Sequence, residues 1–232
     1  MLGVIVNSAA VIVGSLVGIL LKKGISENIS NAIMKVMGLM MILIGLQSAL
    51  KTEVMLCVIV CLVVGTVFGE AIKLDDKINT VGDFAKKKLK VSGDSGSKFT
   101  EGFVTATLLF CIGSMTIVGS LEAGINHNNS ILFAKSIMDG ISSVVFASTF
   151  GIGVMLSAAI LLITQGGLTL LAASASTLLT TPVVTEMSAV GGIILLGMAI
   201  NMLDLNKPGK TIKIANMIPA IFLPPLYLAL FS

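Results

Sequence analysis

The sequence predicts an all-α, polytopic membrane protein with about eight transmembrane helices. Three observations carry this prediction: a low charge content, a series of apolar stretches near twenty residues long, and lysines concentrated in alternate loops. The chain is 55% hydrophobic and 12% charged, with a mean hydropathy of +1.04. A soluble domain carries roughly 25% charged residues, because water meets it on every side. Here lipid is the solvent for most of the surface.

The apolar stretches run over residues 2–21, 31–50, 54–72, 99–120, 131–149, 150–172, 187–203 and 214–231. Each approaches the ~20 residues a helix needs to cross a hydrocarbon core of about 30 Å. The first has no lysine before it and two, Lys22 and Lys23, after it, so it reads as a span and not as a cleaved leader. The second carries Lys35 near one end, and the third carries Glu70 near its end. Between spans 3 and 4, residues 73–98 form the one sizeable polar segment. Ile78, Val81, Phe84, Ala85 and Leu89 recur there at helical spacing among Asp and Lys. It reads either as a cytoplasmic amphipathic helix on the membrane face or as a solvated linker. The whole chain, 1–232, reads as a single membrane domain.

Lysine placement orders the spans. There are no arginines, and 12 of the 15 lysines lie in the loops after spans 1, 3 and 7. With eight spans these loops share one side, and the opposite loops hold only Lys51. The positive-inside rule makes the lysine-rich side cytoplasmic, with both termini outside. The absence of arginine argues against a nucleic-acid partner.

Glycines mark close packing. Gly14/Gly18 and Gly65/Gly69 are G-x-x-x-G pairs within apolar helices, suited to packing inside one chain or to a homo-oligomer. Gly166-Gly167, followed by Pro182 in the hydroxyl-rich stretch 174–185, predicts a departure from a straight helix over 166–182, either a broken or re-entrant helix or a plain loop. A short likeness between Val13-Gly14-Ser15 and Ile112-Gly113-Ser114 raises an inverted repeat of three-helix units, spans 1–3 and 4–6.

Charges inside a span need a physical reason. Glu70, Glu101, Asp204 and Lys35 lie near cytoplasmic ends, and Glu186 is placed at the start of span 7, where a helix N-terminus favours an anion. Asp139 is different. It lies mid-span, with Lys135 four residues before it on the same helical face. One reading is a self-neutralised pair that fixes packing; the other is a site that meets an ion or polar substrate. Asn7, Gln47, Ser114, Thr116, Glu122 and Gln165 fall with the pair from mid-depth outward. Such a layer of oxygens suits a hard cation such as Na⁺. Asp139, Lys135, Ser114, Thr116, Gln165 and Glu122 are therefore the candidate pathway residues. Cys57, Cys61 and Cys111 lie in apolar runs and read as small hydrophobes, and His127 as a solvated loop residue.

Several blocks carry a family resemblance: Leu108 to Ile117, Gly119-Ser120, Lys135 to Gly140, Phe150 to Val154, Gln165-Gly166 and Asn216 to Ala220. On these residues the whole chain resembles the YqgA-like family of bacterial membrane proteins, a domain of unknown function. The resemblance implies a multi-pass membrane protein; members sometimes bear a sodium channel or pump label and a link to biofilm. The family pattern includes Lys135 and Asp139 without a role for either.

The function predicted is membrane transport of a small ion or solute, by a channel or transporter. The alternative is a membrane scaffold or regulator that transports nothing. The sequence contains no H-E-x-x-H, G-x-S-x-G or P-loop pattern, so neither an enzyme nor a chain that hydrolyses ATP by itself is expected, and no cofactor.

Overall fold

The computed structural model describes residues 1–22, 27–78, 80, 95–112, 114–172, 178–206 and 210–231. Among them every regular element is helical. The helices are α1 (Leu2–Lys22), α2 (Glu27–Ala49), α3 (Met55–Ala71), α4 (Ser95–Ile112), α5 (Ser114–Ile125), α6 (Ser130–Phe150), α7 (Ile152–Leu170), α8 (Thr181–Met202), α9 (Ile214–Met217) and α10 (Pro224–Phe231). A 3₁₀ turn, Ile218–Phe222, joins the last two.

Each of the eight apolar stretches is helical, but not each is one straight span. Among the described residues five helices are long and apolar enough to cross a membrane by themselves. Two bent pairs bring the number to seven: Phe99–Cys111 with Met115–Ile125, bent by 55°, and Ile214–Phe222 with Pro224–Phe231, bent by 41°. The remaining stretch is α3, apolar but only 17 residues long. The count of eight is thus approximate. Gly166 and Gly167 lie inside α7, and the chain leaves helical geometry only after Leu170. The bends within spans fall elsewhere. Pro224 enforces one, since proline has no N–H to continue the preceding turn. The expected amphipathic segment 73–98 lies largely outside the described residues, as do 174–177 of the hydroxyl-rich stretch.

The chain forms two compact units, Met1–Ile33 with Asn79–Thr177, and Met34–Ile78 with Leu178–Ser232. Spans 1–3 are therefore divided between units, so the compact units do not follow the three-helix repeat.

In unit 1, α1 packs along α6 in parallel. Gly3 meets Leu132, Gly14 meets Gly140 and Gly18 meets Val144, in rising order along both helices. A side chain at Gly14 would enter the carbonyl of Gly140, so glycine is what allows this approach. Helix α7 runs against both, with Gly166 beside Val4. The turn from α6 to α7 is one residue, Gly151, at φ 76° and ψ −144°, a conformation open to glycine and costly for a residue with Cβ. The bent span α4–α5 runs with α7: Phe99 lies against Gly153 at one end and Gly124 against Thr169 at the other. Met1 and the loop 126–129 consequently share one end of the unit, and Gly151 lies at the other.

In unit 2, α2 and α8 are antiparallel, with Gly45 against Gly192 and Gly38 against Leu203. Helix α3 lies against 214–222 through Gly65 on Ala220 and Gly69 on Asn216. Lys35, Lys73, Lys77, Lys210 and Lys213 fall toward one end of this unit, and Lys51 toward the other. Both G-x-x-x-G pairs thus pack against backbone of the same chain.

Candidate functional site

Asp139 lies near the middle of α6 and Lys135 one turn before it. Both are almost wholly buried, at 6% and 5% exposure. Lys135 Nζ donates to Asp139 Oδ2 at 2.5 Å, forming a salt bridge, and its ammonium stands 6.0 Å from the centre of the Phe110 ring on α4. A desolvated ammonium gains from the negative face of an aromatic ring.

The pair extends across three helices through Asn7 of α1. Asn7 Nδ2 donates to Asp139 Oδ2 at 3.0 Å and to Gln165 Oε1 of α7 at 3.2 Å. Neither amide side chain has any exposed surface. The polarity of this chain follows from the carboxylate. Ionised Asp139 only accepts, so the Asn7 nitrogen must face it, and that nitrogen in turn selects the oxygen of Gln165. Two polar atoms are left over, Asn7 Oδ1 and Gln165 Nε2, buried and without a hydrogen-bond partner. One is an acceptor and the other a donor.

Other buried hydroxyls of unit 1 share this condition: Ser8 and Ser15 on α1, Thr105 and Thr107 on α4, Ser120 on α5 and Thr169 on α7. A helical Ser or Thr commonly bonds back to the carbonyl three or four residues earlier. Ser136, Ser143, Ser148, Ser157 and Thr164 do so here. The unpartnered hydroxyls do not, and they are spread along the length of the unit. The polar layer therefore reaches further toward the Gly151 end than the residues from mid-depth outward indicated.

The structure brings together Lys135, Asp139 and Gln165 of the residues selected from sequence. Thr116 has a different neighbour: its hydroxyl donates to the Phe110 carbonyl at 2.8 Å, across the bend between α4 and α5. A break in a helix frees carbonyls, and this bond takes up one of them beside the ring that faces Lys135. Glu122, near the end of α5, accepts from Asn126 Nδ2 at 3.0 Å, away from the pair. The side chain of Ser114 lies outside the described residues. Gln47 is exposed on α2 in unit 2. Asn7 is the junction that pattern reading did not select. Its signal is that it is the one amide in the first apolar stretch.

Glu186 requires a correction. Helix α8 begins at Thr181, with Pro182 in its first turn, so Glu186 does not start it. It caps a different helix. Its carboxylate accepts from Thr52 Oγ1 at 2.6 Å and from the backbone N–H groups of Glu53 and Val54 at 2.8 and 3.1 Å, at the start of α3. At the other end of unit 2, Asn216 donates to Glu70 and accepts from Asp75 N–H at 2.7 Å, and Lys213 pairs with Glu70 at 3.4 Å. Among the described residues no three His, Cys, Asp or Glu side chains form a metal-binding group, and Cys57 and Cys61 are free thiols with sulfurs 3.8 Å apart.

Comparison with known proteins gives a family match over residues 2–229, described as "Protein of unknown function (DUF554)". The chain is 32% identical over 230 residues to "Uncharacterized membrane protein YdfK" of Bacillus subtilis (strain 168), covering 97% of this chain and 95% of the relative. It is 31% identical over 226 residues to "Uncharacterized protein YqgA" of Escherichia coli (strain K12), covering 96% and 94%. No solved structure matches.

Proposed function

Because the chain belongs to this family of unknown function, whose name offers no activity, we propose from its own side chains that it transports a small ion or solute across the membrane. The observation that carries the reading is the buried Lys135–Asp139–Asn7–Gln165 chain within one bundle of apolar helices, with its two unpartnered ends. Burying such groups in hydrocarbon is costly, and a pathway for a polar species is one reason to retain them. The bent span α4–α5 beside Lys135 supports the same reading. Discontinuous helices in transporters supply freed backbone groups at a polar site. The chain acts on no covalent bond in this proposal.

The test is the joint replacement Lys135→Met/Asp139→Leu, which removes both charges and leaves neither alone. Purified and reconstituted in liposomes, it should fold but lose the flux that the wild type shows for one of a panel of alkali cations, chloride and small organic solutes. Full flux from the double variant would remove the pair from the pathway.

The proposed setting is a bacterial cytoplasmic membrane, with the end of unit 1 that holds Met1 and 126–129 outside, as the lysine asymmetry requires. Cysteines placed at Ser95 and Asn128 should label from opposite sides. Labelling from the same side would overturn the topology.

A further inference from the structure

We propose that Asp139 is a binding site for a monovalent cation, and that Lys135 is a tethered, displaceable occupant of it. The inference rests on the transport reading for its purpose, and on geometry for its form. The pair is ordered lysine first, with the acid four residues later, which is the less favourable order for a helical ion pair. Side chains on a helix lean toward its N-terminus, so the Lys135 stem must turn back against that lean to reach Asp139. It touches only one carboxylate oxygen, and its other described contact is the face of Phe110.

The N-terminal end of α6 lies five residues before Lys135, about 7.5 Å at 1.5 Å per residue. A lysine stem can cover most of that distance and carry its ammonium to the membrane surface. Asp139, a turn deeper on a short stem, cannot follow. A small cation arriving at Asp139 can therefore replace the ammonium while Lys135 swings toward the α5–α6 end of the unit, where Glu122 also lies. No net charge is added to the interior in the exchange. That is the condition a third charge beside an intact pair would break. Asn7, whose nitrogen already touches Asp139 Oδ2 and whose oxygen is unpartnered, can offer an oxygen ligand by turning its amide once the ammonium has left.

The experiment measures the reactivity of Lys135 in the purified full chain. Amine labelling is read by mass spectrometry in the chlorides of lithium, sodium, potassium and N-methylglucamine at equal ionic strength, with exposed Lys51 as reference. At least one alkali cation should raise the Lys135 labelling rate roughly tenfold over N-methylglucamine, since a ligand shifts a two-state side chain by its differential affinity. Asp139→Asn should label fast in every salt. Lys135→Met, whose Asp139 has lost its resident cation, should gain thermal stability from the same alkali cation to a greater extent than the wild type. Equal Lys135 labelling in all four salts overturns the proposal, whether or not Lys135→Met folds. Replacing chloride by gluconate at fixed cation should leave the rate unchanged, and labelling that follows the anion overturns the proposal too. Wild-type liposomes separate the two readings: solute flux with salt-independent labelling leaves transport standing without this site, and cation-dependent labelling without any flux leaves the site standing without transport.

Discussion

Two buried carboxylates, one in each unit, are treated in opposite ways. Glu186 in unit 2 is 2% exposed and receives three hydrogen bonds, two from backbone N–H groups at the start of α3 and one from a threonine hydroxyl. Its charge is held by groups just ahead of Met55, at the helix end where aligned peptide dipoles already favour an anion. Asp139 in unit 1 is 6% exposed and has no backbone donor among its described contacts; a lysine and an asparagine side chain serve it instead. Side chains can rotate away, and a helix start cannot. A carboxylate built to stay put and one built to exchange partners should differ in this way.

The surroundings repeat the contrast. Around Glu186 and Asn201 the polar groups close on one another. Asn201 takes the N–H of Ile212 at 3.0 Å, gives to its carbonyl at 2.8 Å and accepts from Asn206. Among the described residues, Ser188 of unit 2 keeps a buried polar atom without a hydrogen-bond partner, against Asn7, Ser8, Ser15, Thr105, Thr107, Ser120, Gln165 and Thr169 of unit 1. Unit 2 uses its polar groups to close loops. Unit 1 retains polar atoms along its length.

The largest effect that would sharpen this comparison is expected at Asp139. Asp139→Leu alone strands the ammonium of Lys135 in an apolar bundle, at a cost of about 3–5 kcal/mol. Adding Lys135→Met should recover most of it, as thermal denaturation in detergent would report. A double variant no more stable than the single one would mean that the pair is not energetically coupled.

Next comes Glu186→Ala, expected to cost about 1–3 kcal/mol by leaving the Glu53 and Val54 N–H groups without their acceptor. Its flux per folded molecule in liposomes should equal the wild-type value. A variant of normal stability with altered flux would erase the distinction between the two carboxylates.

Thr116→Val is the smallest of the three. It removes the bond to the Phe110 carbonyl and should cost about 1 kcal/mol. Because that bond lies beside the ring facing Lys135, flux should fall by more than the loss of folded protein explains. Flux that tracks folded protein alone would confine Thr116 to holding the bend.

How much of this was legible beforehand differs between elements for physical reasons. Pattern reading places α6 and α7 within two residues at each end, because the extent of an apolar run is local in the chain. It placed the start of α8 six residues late, because Thr181 to Glu186 is polar for a span and only Glu186 turning to cap α3 shows why. Over 166–182 it predicts a departure from a straight helix, as a broken or re-entrant helix or a plain loop; α7 ends at Leu170 and α8 begins at Thr181, while Gly166 and Gly167 themselves stay helical. Asn7 was visible as a polar residue at the right depth but not as the junction between two other helices.

By itself, then, the sequence determined what depends on composition and local order: an all-α membrane protein, its apolar helices, the lysine-poor and lysine-rich loops, and the Lys135–Asp139 pair, whose members are joined by a single helical turn. Membrane insertion responds to hydropathy and charge read along the chain, and an i, i+4 pair needs no partner helix to meet. Only the tertiary structure decided that Asn7 and Gln165 complete the pair, that Thr116 serves the bend, and that Glu186 caps a helix 132 residues away in the chain. Those choices depend on which helix faces pack together. Glycine pairs mark where a helix packs closely, but which helix each meets depends on side-chain fit, which one chain read from end to end does not name.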